Sequence, residues 1–530
     1  MKLNKILEGL EVKETVNDLD LDITNIHSDS RKIKQGGLFI AIDGYLQNGI
    51  DYLDSAIQNG AVAAIVEDDV DTSILPNTLT YIKAGNTRKA LAITNCNLYD
   101  NPSKKFKLIG VTGTKGKTTT TFMIKSLLEA HGLKVGLMGS IAVYIGNEKL
   151  EDTDRTTPES DEIQEYFAKM ADAHVDVAII EVSSQAMKMH RVDGCDFDIG
   201  VFTNLTEDHI SKNEHASMEE YFQCKCMLFD KCHTGFINAD DSTVITIKDK
   251  NKTCKFKTFG IDNPADIRAE EDTLKITPSC IDFVADIDGK REQFEVSIPG
   301  RFSVYNSLGA ISVAHEFGVT PDEMRSALKD LKVLGRNELV PNKLGLTILI
   351  DYAHTPSSLE SILESVRAYA KGKIICAWGV GGDRDSKKRP IMGEISGRLA
   401  DYTILMSDQV RTEDPLKILQ DIEVGVKKAG GKYTIIVDRT EGIKHALEVA
   451  TPEDIIVIPW FISWKKSRKI PLWWKKSNCK ISWWNSGRKK SKIKSLKHNN
   501  IQKNAYYILY TLLSQSWWVV VPKTTTLFYM

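Results

Sequence analysis

The stretch Lys107–Thr119, KLIGVTGTKGKTT, narrows the fold more than any other part of the chain. An apolar run ends in a turn that carries Gly113 and Gly116, and a helix pattern starts straight after. Glycines let backbone N–H groups crowd around phosphate oxygens, and the N-terminus of the following helix adds positive partial charge. Lys117 is spaced to reach the outer phosphates of a nucleotide, and the Thr118 hydroxyl to ligate Mg²⁺. The strict pattern G-x-x-x-x-G-K-[ST] is not met, because Val111 stands where its first glycine belongs. A chance Gly-Lys-Thr in a turn is the competing reading. The strand before, the helix after and four consecutive threonines favour ATP binding through Gly113, Thr114, Lys115, Gly116, Lys117, Thr118 and Thr119.

Around this loop the periodicity predicts an α/β protein of three domains and a tail. Residues 1–105 read as a small α/β unit, with GGLFIAIDG as a buried strand and DYLDSAIQNGAVAAIVE as helix, glycine stop and strand. The polar stretch 101–105 reads as a linker. Strand and helix patterns alternate through 106–333, which predicts a largely parallel sheet with helices on both faces. A third alternating unit, 334–459, reads as a Rossmann-like domain and runs to the strand at Asp454–Ile458.

Charge separates the last piece from the rest. Residues 460–530 hold 15 Lys+Arg, no Asp or Glu, and eight of the nine Trp, leaving 54 Lys+Arg against 71 Asp+Glu in residues 1–459. An acidic body argues against wrapping nucleic acid on a basic surface. The tail has no sustained helix or strand period. It reads either as a basic aromatic strip for single-stranded nucleic acid or, as we favour, as sequence foreign to the fold. Nine cysteines, odd in number and without a CxxC pair, fit reduced thiols in the cytosol. No signal peptide is visible, and the apolar run at Tyr506–Val521 is short for a membrane span. The expectation is a cytoplasmic protein with neither membrane nor nucleic-acid partner.

Two further segments end strands and carry polar groups. VDVAIIEVSS places Glu181, Ser183 and Ser184 at a strand's C-terminal end, where a carboxylate beside a phosphate loop suits Mg²⁺. TNLTEDH comes after DIGVFT and brings His209 toward the same edge, although a lone histidine there is more often structural.

These motifs, in this order, resemble the Mur ligase family. The resemblance spans residues 20–458 and rests on Asp29-Ser30-Arg31 with GGLFIAIDG, GTKGKTTT, Thr156-Thr157-Pro158-Glu159, EVSSQAM with Arg191, and TNLTEDH. YFQCKCMLF, PGRFSVYN, DYAHTP, GGDRDSKKRP, and Ser407–Pro415 with Asp438-Arg439 complete it. It implies a three-domain architecture with a central P-loop ATPase sheet, and an ATP- and Mg²⁺-dependent ligase. The reaction implied adds the third residue of the peptidoglycan stem peptide to UDP-muramyl dipeptide through an acyl phosphate.

By residue, the resemblance implies that Ser30 contacts the uridine-nucleotide end in the first domain. Thr156, Thr157, Ser183 and Arg191 would hold the sugar-peptide, while Met189 stands where the family often has a polar group. Glu181 and His209 resemble magnesium ligands, with Thr118 near the first ion. Asn306 resembles an adenine-side contact. Lys225 matches a lysine carried as a carbamate, an anion suited to Mg²⁺; composition alone reads it as an exposed helix lysine. Family members that add diaminopimelate read Asp-Asn-Pro-Arg where this chain reads Asp408-Gln409-Val410-Arg411. Arg411, with Arg384 as a second guanidinium, would pair with the far carboxylate of diaminopimelate and disfavour lysine. The alternative is that Arg411 pairs with Glu413 or Asp414. The family's Gly-Lys-Gly-His-Glu segment after the last strand is absent, which predicts impaired amino-acid addition. A lysine-adding or folylpolyglutamate synthetase-like ligase and an inactive nucleotide-binding relic remain as alternatives. A monomer is expected.

Overall fold

Runs of aliphatic and β-branched residues build three sheets in the computed structural model, which describes residues 1–459 apart from 45, 46, 211–213, 334, 343 and 384. The tail from residue 460 and Arg384 therefore lie outside the described residues.

The first sheet runs in the order Val12–Val16, Thr80–Ala84, Ala61–Glu67, Gly37–Ile40, Asn25–His27, all parallel except the first strand. Its four central apolar positions, Gly37–Ile40, are fully buried, as a strand bounded by glycines predicts.

The second sheet positions the site. Seven parallel strands lie in the order Ile267–Ala269, Lys255–Gly260, Cys232–Asn238, Phe197–Phe202, Lys107–Thr112, Val177–Glu181, Val135–Met138. Lys107–Thr112 sits between two partners in tight register, with Val111 opposite both Glu181 and Val201. Three strand C-termini consequently open on one edge, which is where open α/β sheets bind ligands. Phe167, Phe197, Phe202 and Phe229 fill the core beneath. The alternation read from sequence misses two antiparallel hairpins of this sheet, the first being Ala142–Ile145 with Glu148–Asp152 beside Val135–Met138. The second, Ile281–Ile287 with Lys290–Val296, joins Ile267–Ala269, and the first of its strands alternates buried and half-buried residues. Its solvated face is what an antiparallel strand tolerates and a parallel one avoids.

These two sheets belong to one compact unit. Between them, the expected linker at 101–105 is instead a short 3-10 turn, Pro102–Lys105, with Pro102 and Ser103 buried. His27 meets Asp161 at 3.0 Å, and Lys32 meets Glu162 at 2.9 Å.

The third sheet belongs to a second unit and runs Glu338–Leu339, Thr347–Asp351, Ile455–Pro459, Ile374–Trp378, Tyr402–Leu405, Tyr433–Ile435, parallel except at the first strand. The last described strand is thus central to its sheet, with Pro459 opposite Asp351. Among the described residues no helix is long and apolar enough to cross a membrane, and every cysteine is free.

Candidate functional site

The phosphate loop owes its shape to two glycines. Gly113 has φ 141° and Gly116 has φ 85°. A Cβ on Gly113 would stand 1.9 Å from Thr203 Oγ1, and one on Gly116 2.3 Å from Asn306 Oδ1. Thr203 and Asn204 clamp the loop from the neighbouring strand end. Thr203 Oγ1 donates to the Lys115 carbonyl at 2.6 Å, and the Asn204 side chain accepts from Lys115 N at 3.0 Å. Thr114 N donates to the Asn204 carbonyl at 2.8 Å. Asn306, on the buried helix Arg301–Glu316, accepts from Thr120 Oγ1 at 3.4 Å. The loop is therefore a rigid cradle rather than a chance Gly-Lys-Thr.

Lys117 opens the helix Lys117–Ala130, and its ammonium donates to the carbonyls of Gly113 at 2.8 Å and Thr114 at 3.0 Å. Thr118, one residue on, donates to Glu181 Oε2 at 3.0 Å. Glu181 is buried at its strand end and also accepts from Ser140 N at 2.8 Å and Ser140 Oγ at 3.0 Å. Among the described residues no three His, Cys, Asp or Glu side chains gather as a metal cluster. What the edge offers a hard cation is the Thr118 hydroxyl and Glu181 carboxylate, an oxygen pair that suits Mg²⁺ together with phosphate oxygens and water.

A cavity of about 300 Å³ opens beside the loop. Lys117, Lys225 and His209 line one part, and Thr156, Thr157, Ser183 and Arg191 another. The Thr157 hydroxyl donates to the Glu181 carbonyl at 2.8 Å and accepts from Ser183 N at 3.0 Å. Arg191 donates to the Thr157 carbonyl at 3.2 Å and meets Glu159 at 3.0 Å. His209 adopts φ 58° and meets Glu214 at 2.9 Å, with its side chain half-exposed.

Lys225 is not the exposed helix lysine that composition favours. Only 1% of it is exposed, its ammonium nitrogen donates to the Gly113 carbonyl at 2.8 Å, and it sits 4.3 Å from the Tyr221 ring centroid. Burial, seconded by the charge of Lys117, pushes its pKa well below the ordinary lysine value. A lowered pKa leaves more of the amine neutral, and the neutral amine is the nucleophile.

Sequence reasoning gave several lining residues no role. Arg155 lines the cavity and pairs with Glu159. Ser184, His215 and Tyr221 also line it, and Tyr221 donates from its buried hydroxyl to Thr114 Oγ1 at 3.1 Å. The spacing Tyr221-x-x-x-Lys225, one helical turn on a face with Phe222, was the available signal.

Ser30 does not line this cavity. It is buried in the first sheet's unit, 3.3 Å from Ser55 Oγ, at the start of a 3-10 turn capped by Asp29.

In the third sheet's unit, Asp408–Arg411 form the loop after Tyr402–Leu405. The Asp408 side chain is 7% exposed, accepts from Arg439 at 3.1 Å, and has its carboxyl pushed up by burial against the pull of Arg439. Gln409 and Arg411 are exposed, Val410 half-buried, and Arg411 takes φ 51°. The acidic partners considered for Arg411 are engaged elsewhere. Glu413 meets the buried Arg389 at 2.7 Å, and Asp414 caps the helix Pro415–Lys428.

Three family models match the chain: Mur ligase family, catalytic domain, over residues 22–95; Mur ligase middle domain over 111–314; and Mur ligase, glutamate ligase domain, over 335–459. A relative from Clostridium acetobutylicum, UDP-N-acetylmuramoyl-L-alanyl-D-glutamate–2,6-diaminopimelate ligase 1, is 42% identical over 461 residues, covering 86% of this chain and 93% of its own length. The ligase of the same reaction name from Clostridium botulinum is 41% identical, with 86% and 94% covered. A solved structure titled as that ligase is 27% identical and covers 86% of this chain and 93% of its own, at a TM-score of 0.64.

Proposed function

The chain belongs to the Mur ligase family, and on that premise we propose that it joins diaminopimelate to UDP-N-acetylmuramoyl-L-alanyl-D-glutamate at the expense of ATP. The observation that carries this reading is one cavity in which Lys117 and Lys225 face Thr157, Ser183 and Arg191, against the phosphate loop and the Glu181–Thr118 pair.

The substrate's free carboxylate oxygen attacks the γ-phosphorus, the bond to the bridging oxygen breaks, and ADP leaves. The amine of the incoming amino acid then attacks the acyl phosphate's carbonyl carbon, phosphate departs, and the nitrogen loses a proton. Two anions must meet in the first step, so preorganised positive charge supplies most of the catalysis. Lys117, tethered over the loop crown, is that charge. Mg²⁺ bound by Thr118 and Glu181, with His209 nearby, would neutralise the phosphates further. Arg191 and the Thr156, Thr157 and Ser183 hydroxyls hold the peptide end, Ser30 the uridine end, and Asn306 the adenine side.

Lys225 acts as a carbamate in this scheme. Its neutral amine bonds to the carbon of CO₂ and releases a proton, which replaces a buried would-be cation by an anion beside Lys117. Asp408, Gln409, Val410 and Arg411 select the amino acid, with Arg384 added by sequence.

The test is ADP release measured with and without each substrate. Release that requires both UDP-N-acetylmuramoyl-L-alanyl-D-glutamate and diaminopimelate supports the ligase. Release with folate and glutamate, or with no acceptor at all, overturns it.

A further inference from the structure

Behind the cavity wall runs a line of side chains that the ligase chemistry does not use. Ser184, 4% exposed, lies 2.9 Å through its Oγ from His215 Nε2. His215 is 1% exposed, and its other nitrogen, Nδ1, has no hydrogen-bond partner and stands 4.0 Å from Glu220 Oε2. Glu220 is fixed in turn by Lys188 at 2.7 Å and by Ala216 N at 2.7 Å. The imidazole also packs on the Tyr221 ring at 5.2 Å between centroids. Ser184 and His215 both line the cavity.

The array has a polarity. The imidazole is buried, and burial disfavours its charged form, so the ring carries one proton. A carboxylate oxygen facing Nδ1 attracts an N–H and repels a lone pair. The proton therefore resides on Nδ1, Nε2 is an acceptor, and the Ser184 hydroxyl donates to it. A serine whose proton is committed in this way presents only lone pairs to the cavity. The rest of that wall is rich in donors: Lys117, Arg155 and Arg191. Ser184 is a fixed acceptor among them.

We propose that Ser184 accepts a hydrogen bond from a peptide N–H of the nucleotide-linked substrate, and that His215 is the positioning residue that commits the serine to that role. The inference rests on the proposed substrate and adds a residue pair to its binding site. Carboxylates of the substrate have no N–H to offer, so they fall to the donor side of the wall. The amides of the L-alanyl-D-glutamate stem are the donors nearest in place, since Ser184 stands at the peptide end of the wall. Ser184 adjoins Ser183 in sequence, which places the acceptor next to the hydroxyls of the peptide end.

Titration calorimetry of the full chain with UDP-N-acetylmuramoyl-L-alanyl-D-glutamate tests this without requiring turnover. Ser184→Ala removes the acceptor, and His215→Phe keeps the ring on Tyr221 while removing both nitrogens. One hydrogen bond is worth roughly 1 kcal/mol net, so each variant should weaken binding about fivefold. The double variant should be no weaker than either single one, because both delete the same interaction. ADP affinity should stay unchanged. Wild-type binding by Ser184→Ala, or losses that multiply in the double variant, overturns the pairing. If His215→Phe fails to fold, Ser184→Ala and His215→Asn, whose amide nitrogen takes the Nδ1 position and supplies nothing at Nε2, decide it in the same way. Failure of the unmodified chain to bind this nucleotide would instead refute the substrate reading itself.

Discussion

Replacing Lys225 by Met separates the chemistry of that residue from its energetics, because the two should move in opposite directions. The amine is buried and its pKa is held well below 10.5 by burial first and by Lys117 second. A lysine whose pKa falls on folding opposes folding. The opposition is complete below the folded-state value, fades as pH rises above it, and vanishes above 10.5, since the unfolded chain binds the extra proton throughout that window. At pH 7.5, below the unfolded value, this opposition is in force. The bond to the Gly113 carbonyl returns roughly 1 kcal/mol of that. Methionine fills a similar volume without a charge to shed, so Lys225→Met should raise the melting temperature of its unit at pH 7.5, by about 2–4 °C for each kcal/mol gained. The gain should shrink steadily toward pH 10.5. Melting curves in CO₂-free buffer with EDTA keep the carbamate out of the comparison. ADP release in the presence of bicarbonate should meanwhile fall by at least about a hundredfold, for want of the carbamate. A variant that melts at or below the parent temperature at pH 7.5 refutes the burial argument, and one that keeps full turnover refutes the carbamate.

The same geometry sets three further outcomes. Lys117→Ala should abolish ADP release, a loss of several kcal/mol in transition-state stabilisation, and unchanged release removes the lysine from the mechanism. Gly116→Ala pushes a Cβ onto Asn306 Oδ1 in a backbone region that costs L-residues about 1 kcal/mol or more, so ATP affinity should drop by at least tenfold in equilibrium dialysis; parent affinity would refute the cradle. Arg411→Ala should raise the KM for diaminopimelate about tenfold or more, as loss of a charge-assisted pair does, with little effect on lysine; equal effects on both would remove Arg411 from selection.

The phosphate loop was legible because its determinants are local: two glycines, a lysine and threonines between a strand and a helix. Glu181 was legible for the related reason that a polar residue ending an apolar strand must emerge at the sheet edge, and the register Glu181 to Val111 puts it there. Lys225 was singled out only through the family resemblance, since nothing in a single helix tells which way a lysine faces. Its burial is decided by the Gly113 carbonyl, 112 residues away in sequence. His215 and Ser184 are separated by 31 residues and meet only once two strands and their adjoining loops share an edge. The hairpin at 281–296 went unread because helix and strand alternated on both sides of it. The family resemblance supplied roles for single residues, such as Ser30, which local pattern leaves as a buried serine.

The third sheet carries a prediction about the sequence beyond it. Ile455–Pro459 is hydrogen-bonded on both sides, to Thr347–Asp351 and to Ile374–Trp378, and its residues are buried throughout. The central strand is thus paired to Thr347–Asp351 as far as Pro459 and to Ile374–Trp378 as far as Val457, and the match to the glutamate ligase domain ends at 459. Pairing on both sides satisfies most of the backbone groups of this strand within the described residues, so we expect the sheet to fold without residues 460–530. Catalysis is different, because the segment that the family uses to complete the amino-acid site should stand just after this strand, and here Trp460 and a basic run stand instead. A chain cut after Pro459 should therefore melt within about 2 °C of the full one and bind ATP as well, since ΔΔG near zero shifts the midpoint little. Joining a family-type Gly-Lys-Gly-His-Glu segment at that point should raise diaminopimelate addition while leaving ATP affinity where it was. Equal addition by the joined chain and the original places the defect elsewhere, and a large drop in melting temperature on truncation shows that the sheet depends on residues 460–530 after all.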